Sequence, residues 1–91
     1  MSAPQENIEA QFFEIVDRFI SRANTLGEKY PKAQVSAALL FAAARYNAFN
    51  WVNRSMLLEQ TPDEAALAFR AEYETMFRDN VSNLTQSRPT A

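Results

Sequence analysis

The sequence contains no cysteine and no histidine. Without cysteine the chain has neither disulfide bonds nor thiolate chemistry. Histidine is the side chain that most often serves as a general base or a metal ligand near neutral pH, so its absence removes both roles. The single glycine cannot build a glycine-rich phosphate loop. We therefore expect a protein that is not an enzyme and that has neither a cofactor nor a metal site.

The chain also lacks an excess of charge and a long apolar run. Nine basic and eleven acidic residues give a formal net charge of −2, which does not attract nucleic acid or anionic lipid. Residues 37–44 form an unbroken apolar run, but Arg45 ends it, and a membrane-spanning helix needs about 20 apolar residues. The first ten residues do not have the pattern of a secretory signal. We expect a cytoplasmic protein that binds neither nucleic acid nor a membrane.

Residues that interrupt helices are scarce. Gly27 is the one glycine, and it lies between Pro4 and Pro31. The prolines are Pro4, Pro31, Pro62 and Pro89. A protein of many short strands needs many more turns, so this spacing predicts helices over about residues 5–26, 32–57 and 62–84. The polar end, residues 85–91, is expected to be disordered.

The first segment has the periodicity of an amphipathic helix. Its apolar residues recur at steps of three and four: Ile8, Phe12, Ile15, Phe19, Ala23 and Leu26. Glu14 and Arg18 lie on the opposite side with the spacing of a favourable ion pair. Gly27 is expected to end this helix in a left-handed conformation.

The third segment opens with a specific helix-start signal. Thr61-Pro-Asp-Glu64 is a capping box, in which each of the two outer side chains accepts a backbone hydrogen bond from the other residue. An apolar stripe follows it, formed by Ala65, Ala66, Phe69, Tyr73, Met76, Phe77 and Leu84. Glu74 and Arg78 have the spacing of a second ion pair.

The middle segment is apolar on nearly all sides. Its apolar residues cover about 260° of a helical wheel, and only a strip formed by Ser36, Asn47, Asn50 and Arg54 is polar. A helix of this kind is a central one, and the short connections favour antiparallel neighbours. The sequence therefore predicts an all-α fold, an up-down-up antiparallel three-helix bundle in a single domain of residues 1–84, with the middle helix central.

This middle helix has more apolar surface than two neighbouring helices cover. One interpretation is self-association, with a homodimer favoured, through a face formed by Leu40, Phe41, Ala44, Ala48 and Trp51. A second is that long side chains of the outer helices cover the surface and the alanines tolerate water. A third is a different protein partner, which would make the chain an accessory subunit.

Arg45 lies within the apolar arc of the middle segment. A buried, unpaired guanidinium costs several kcal/mol, so we expect an ion pair with Asp17 of the first segment or a side chain that reaches out to water. A different class of function uses the same residue to bind a small anionic or polar ligand. The site of such a ligand-binding bundle would contain Arg45, Tyr46, Asn47 and Asn50.

Two stretches, FFEIVDRFISRANTL and VSAALLFAAARYNAFNW, resemble a family of small uncharacterised proteobacterial proteins, catalogued as a domain of unknown function, over about residues 10–53. The residues that carry the resemblance are Phe13, Asp17, Phe19, Ile20, Ala23, Asn24, Ser36, Ala37, Leu40 and the segment from Ala43 to Phe49. The resemblance implies a bacterial, cytoplasmic, helical protein with no assigned activity. It transfers no catalytic residue, and no motif in the third segment matches the family.

Overall fold

The chain is all-α over the residues that the structure describes. The structure is a computed structural model, which describes the backbone of residues 4–58 and 60–87 and the side chains of residues 7–54 and 60–86. It contains helices α1 (Pro4–Gly27), α2 (Lys32–Leu58) and α3 (Pro62–Ser87), and no strand within the described ranges. The prediction of three helices is confirmed, and the antiparallel bundle stays a prediction.

Helix α3 is longer than the sequence indicates. It includes residues 85–87, which were expected to be disordered, while residues 88–91 lie outside the described part. The amide of Gln86 donates a hydrogen bond to Oγ of Ser82 at 3.1 Å, one turn earlier. No glycine or proline interrupts the chain between Asp63 and Arg88. The helix therefore continues through residues 85–87 without a residue that would interrupt it.

The turn between α1 and α2 closes α1 without a left-handed conformation at Gly27. Gly27 is the last residue of α1 and does not have a positive φ, so the predicted left-handed end is wrong. The backbone N–H groups of Glu28 and Lys29 donate to carbonyls three residues earlier, at 3.2 and 3.0 Å. The N–H of Tyr30 donates to the carbonyl of Leu26 at 2.9 Å. These bonds satisfy the carbonyls of Thr25 and Leu26 near the end of the helix without a left-handed Gly27.

The start of α3 is the predicted capping box. The backbone N–H of Thr61 donates to Oε1 of Glu64 at 2.9 Å, and the backbone N–H of Glu64 donates to Oγ1 of Thr61 at 3.1 Å. The N–H of Ala65 donates to the carbonyl of Thr61 at 3.0 Å and begins the helical series. Two of the N–H groups that a helix start leaves without partners are thus satisfied locally.

Both predicted ion pairs within helices are confirmed. The distance between Nη2 of Arg18 and Oε1 of Glu14 is 3.4 Å, and that between Nη2 of Arg78 and Oε2 of Glu74 is 2.9 Å. All four side chains are exposed. Exposed pairs at this spacing stabilise a helix by only about 0.3–0.5 kcal/mol each.

The chain divides into two compact units, residues 1–47 and 48–91, so that each contains part of α2. In the first unit the partly buried residues cluster near the turn at 28–31. They are Ala23, Leu26, Gly27 and Val35, with Val16 farther along α1. The rest of the described side chains in this unit are exposed.

The second unit is held together at the corner between α2 and α3. Nε1 of Trp51 donates a hydrogen bond to Oε1 of Gln60 at 3.0 Å, and both residues are partly buried. Ala65, which is 6% exposed, is the one buried residue among the described side chains. This corner therefore combines a side-chain hydrogen bond, a small buried residue and the capping box.

Thr61→Ala is expected to lower the free energy of unfolding by about 1 kcal/mol, because the N–H of Glu64 loses its acceptor at the start of α3. Urea denaturation followed by circular dichroism, at one fixed protein concentration, measures the change. Thr25→Ala is the matched control, since that hydroxyl only bonds the carbonyl of Ser21 within α1 at 3.1 Å. Equal effects of the two substitutions would contradict the capping role.

Trp51→Phe and Gln60→Ala are expected to be coupled, because each removes one partner of the same hydrogen bond. A double-mutant cycle measured by urea denaturation should give a coupling free energy of about 0.5–1.5 kcal/mol. Trp51→Phe keeps an aromatic ring at the corner, so the cycle isolates the indole N–H. Additive effects of the two substitutions would mean that this bond does not stabilise the corner.

Candidate interaction surface

The residues predicted to form an interface lie on one face of α2, which we call the α2 contact face: Leu40, Phe41, Ala44, Ala48 and Trp51. Their positions fall within about 100° of a helical wheel. Leu40 is 54% exposed and Phe41 is 71% exposed, and both alanines are exposed as well. Trp51 is partly buried at the corner with α3. Most of this face is therefore accessible to water along the middle of α2.

The composition of the α2 contact face suits helix packing. Ala44 and Ala48 are one turn apart and have small side chains, so the backbone of a second helix can approach them closely. Leu40 and Phe41 precede these alanines by about one turn, and their side chains are large enough to anchor a contact. The face thus offers apolar area without a polar group that would need a partner.

The predicted ion pair between Asp17 and Arg45 is not formed within the first unit. Both residues belong to that unit, both are exposed, and no ion pair joins them. An exposed guanidinium keeps its hydration and needs no counter-ion. The expectation assumed a buried Arg45, so the pair stays a prediction for a form of the protein in which Arg45 is covered.

The candidate ligand-binding residues Arg45, Tyr46, Asn47 and Asn50 are exposed on α2. A shallow groove of about 730 Å³ lies on α1, and none of these four residues lines it. Its lining residues are Ala10, Phe13, Glu14, Asp17, Arg18, Ser21, Arg22 and Thr25. Since all of them come from one helix, the groove cannot surround a ligand as binding pockets do. The ligand-binding interpretation stays a prediction.

Metal-binding clusters and membrane-spanning helices are two further features that are absent from the described residues. No cluster of three or more acidic side chains in the described part of the chain could hold a metal ion. No described helix combines the length and the apolar character that crossing a membrane requires. The expectations of a non-enzymatic role and a cytoplasmic location stay predictions.

Sequence reasoning missed Gln60 and the exposure of the outer helices. Gln60 binds Trp51 across nine positions, and its one signal is that it directly precedes the cap residue Thr61. The apolar stripes of α1 and α3 are largely exposed, as in Phe12 and Phe77. The rings of Tyr73 and Phe77 stack on each other at 6.0 Å along α3. Apolar surface is therefore accessible on all three helices, and not on α2 alone.

The comparisons with known proteins give one match. The sequence model described as "Protein of unknown function (DUF3144)" matches residues 12–84. No curated protein and no solved structure matches the chain. The match confirms the resemblance to a domain of unknown function and extends it into α3, where sequence reasoning found no motif. Since it covers most of the chain, the chain belongs to the DUF3144 family of proteins of unknown function.

Proposed function

We propose that the protein is a non-enzymatic interaction or structural protein that self-associates through α2. The observation that carries the proposal is the exposure of Leu40 and Phe41 in the middle of a helix with one narrow polar strip. Burial of a leucine or phenylalanine side chain contributes about 1.5–3 kcal/mol. Covering this face with a second copy therefore gives a substantial driving force for association.

The lengths of the helices within each unit support the same proposal. At 1.5 Å per residue α1 is about 36 Å long, whereas residues 32–47 of α2 extend over about 24 Å. In the second unit α3 is about 39 Å long, whereas residues 48–58 extend over about 16 Å. Each segment of α2 is therefore shorter than the other helix of its own unit, and large apolar side chains of that helix are exposed. Leu84, near the end of α3, is 65% exposed.

The proposal includes the predicted packing of the helices. The connections at residues 28–31 and 59–61 are short, and short connections between long helices favour antiparallel neighbours. We propose an up-down-up three-helix bundle with α2 in the centre as the packing unit, within a homodimer. In keeping with the family resemblance, the proposal assigns the protein to the bacterial cytoplasm.

Phe41→Glu is expected to convert a dimer into a monomer, because a carboxylate would lose its hydration in an apolar interface. Light scattering after gel filtration, at two protein concentrations, should give twice the chain mass of 10.4 kDa for the unmodified protein. The variant should give the chain mass, with its dissociation constant raised by at least about tenfold. Phe41 is highly exposed, so the helices of the variant should remain intact by circular dichroism.

Asn50→Glu is the matched control, since it adds the same charge to the polar strip of the same helix. The control should keep the mass of the unmodified protein. A monomeric mass for the unmodified protein at both concentrations would contradict self-association. An equal loss of association in both variants would contradict the choice of interface.

A further inference from the structure

The three helices differ in charge in a way that restricts what can cover α2. Helix α2 contains Lys32, Arg45 and Arg54 and no acidic residue, a formal charge of +3. Helix α3 contains two arginines and five acidic residues, a formal charge of −3. Helix α1 contains two arginines and four acidic residues, a formal charge of −2. A partner that matches α2 in charge is therefore an acidic helix, and not a second α2.

Arg45 places the requirement for a negatively charged partner at one position on α2. Phe41, Arg45 and Phe49 follow each other at four-residue steps, and Val52 continues the same face of α2. Phe49 is 62% exposed, and Arg45 and Val52 are exposed as well. A helix that packs on these apolar side chains also removes the guanidinium of Arg45 from water. That contact is favourable only if the incoming helix supplies a carboxylate.

Helix α3 has carboxylates in the required place. Phe69, Glu72, Met76 and Asp79 follow each other at steps of three and four, so two carboxylates lie in the same row as two large apolar side chains. Among the described residues neither Glu72 nor Asp79 forms an ion pair. The other acidic residues of α3 are engaged or lie at its start. Glu74 is paired with Arg78, Glu64 caps the helix, and Asp63 is in the first turn.

Helix α1 is the weaker candidate. It has a comparable row, in which Glu9 and Asp17 lie one turn either side of Phe13, but its formal charge is smaller than that of α3. Its Asp17 also remains apart from Arg45, although both residues belong to one unit. Helix α3, in contrast, nearly equals α2 in length, with 26 residues against 27. Its apolar stripe is largely exposed, as at Met76.

We infer that in the self-associated protein the face of α2 formed by Phe41, Arg45 and Phe49 packs against α3 of a second copy. Glu72 and Asp79 of that copy supply the negative charge that faces Arg45. In a symmetric dimer the contact occurs twice, because α2 of each copy packs against α3 of the other copy. This inference rests on the proposed self-association and specifies which helices meet. It keeps Phe41 of the α2 contact face and places the contact on the side of α2 toward Arg45 and Phe49.

A charge exchange between two variant chains tests the inference. One chain carries Arg45→Glu, and the other carries Glu72→Arg with Asp79→Arg. In a dimer of either variant alone, position 45 of one copy faces positions 72 and 79 of the other with a charge of the same sign. The dissociation constant of that dimer should therefore rise by at least about tenfold. An equimolar mixture allows one dimer in which both contacts join opposite charges. Light scattering should therefore show a dimer in the mixture and monomers in the separate samples.

The controls change the same charges on other faces of the same helices. Arg54→Glu lies on the polar strip of α2, and Glu74→Arg lies on the side of α3 opposite the stripe. Both should associate like the unmodified protein, because the loss of the exposed Glu74–Arg78 pair costs little. If the controls dissociate as much as the test variants, net charge governs association and the inference is overturned.

The remaining outcomes separate the inference from the function on which it rests. A monomeric unmodified protein overturns both. A dimeric unmodified protein whose test variants stay dimeric, or whose mixture stays monomeric, overturns the inference and leaves self-association standing. If a variant is unfolded on its own, the circular dichroism of the mixture is measured instead of the mass by light scattering. A gain of helicity on mixing supports the contact between copies, and no gain overturns it.

Discussion

Burial of apolar helix faces is the constraint on which the rest of this protein depends. Each helix carries large apolar side chains, yet among the described residues only Ala65 is buried. Within each unit, the segment of α2 is shorter than the helix beside it in sequence. The hydrophobic effect is the main favourable term in folding, so these faces need cover before the helices gain most of their stability. The proposed self-association would meet this need without any further element of the chain.

Local interactions define the ends of the helices, and these interactions are hydrogen bonds rather than burial of the apolar faces. The reciprocal bonds of Thr61 and Glu64 fix the start of α3, and the hydrogen bond from Trp51 to Gln60 fixes the corner that leads into it. The turn after α1 is closed by backbone bonds alone. Since each of these contacts spans nine residues or fewer, the positions of the helix ends are specified locally, whereas most of the stability of the helices depends on packing of their apolar faces. What association adds is tertiary packing.

The difference between local contacts and contacts between distant residues explains what could be predicted from the sequence. The three helices, the capping box and the pair of Glu14 with Arg18 were predictable because each depends on residues within one or two turns. The end of α1 was predicted wrongly, since a glycine near a helix end does not reveal whether backbone bonds already satisfy the last carbonyls. The bond from Trp51 to Gln60 was missed because its geometry depends on the path of the corner. The pairing of Asp17 with Arg45 is non-local, and nothing in the periodicity of either helix specifies it.

The exposure of the apolar side chains also sets a condition on the life of the protein in a cell. Under the proposed self-association, a newly synthesised chain displays Phe41, Phe49 and Phe77 until it meets a second copy. Chaperones bind chains with such exposed apolar surfaces, and proteases degrade them. The time before a chain first meets a second copy shortens as the rate of synthesis rises. The steady-state amount of intact protein is therefore expected to increase more than proportionally with the rate of synthesis. For the proposed dimer, abundance would therefore depend on a threshold rate of synthesis.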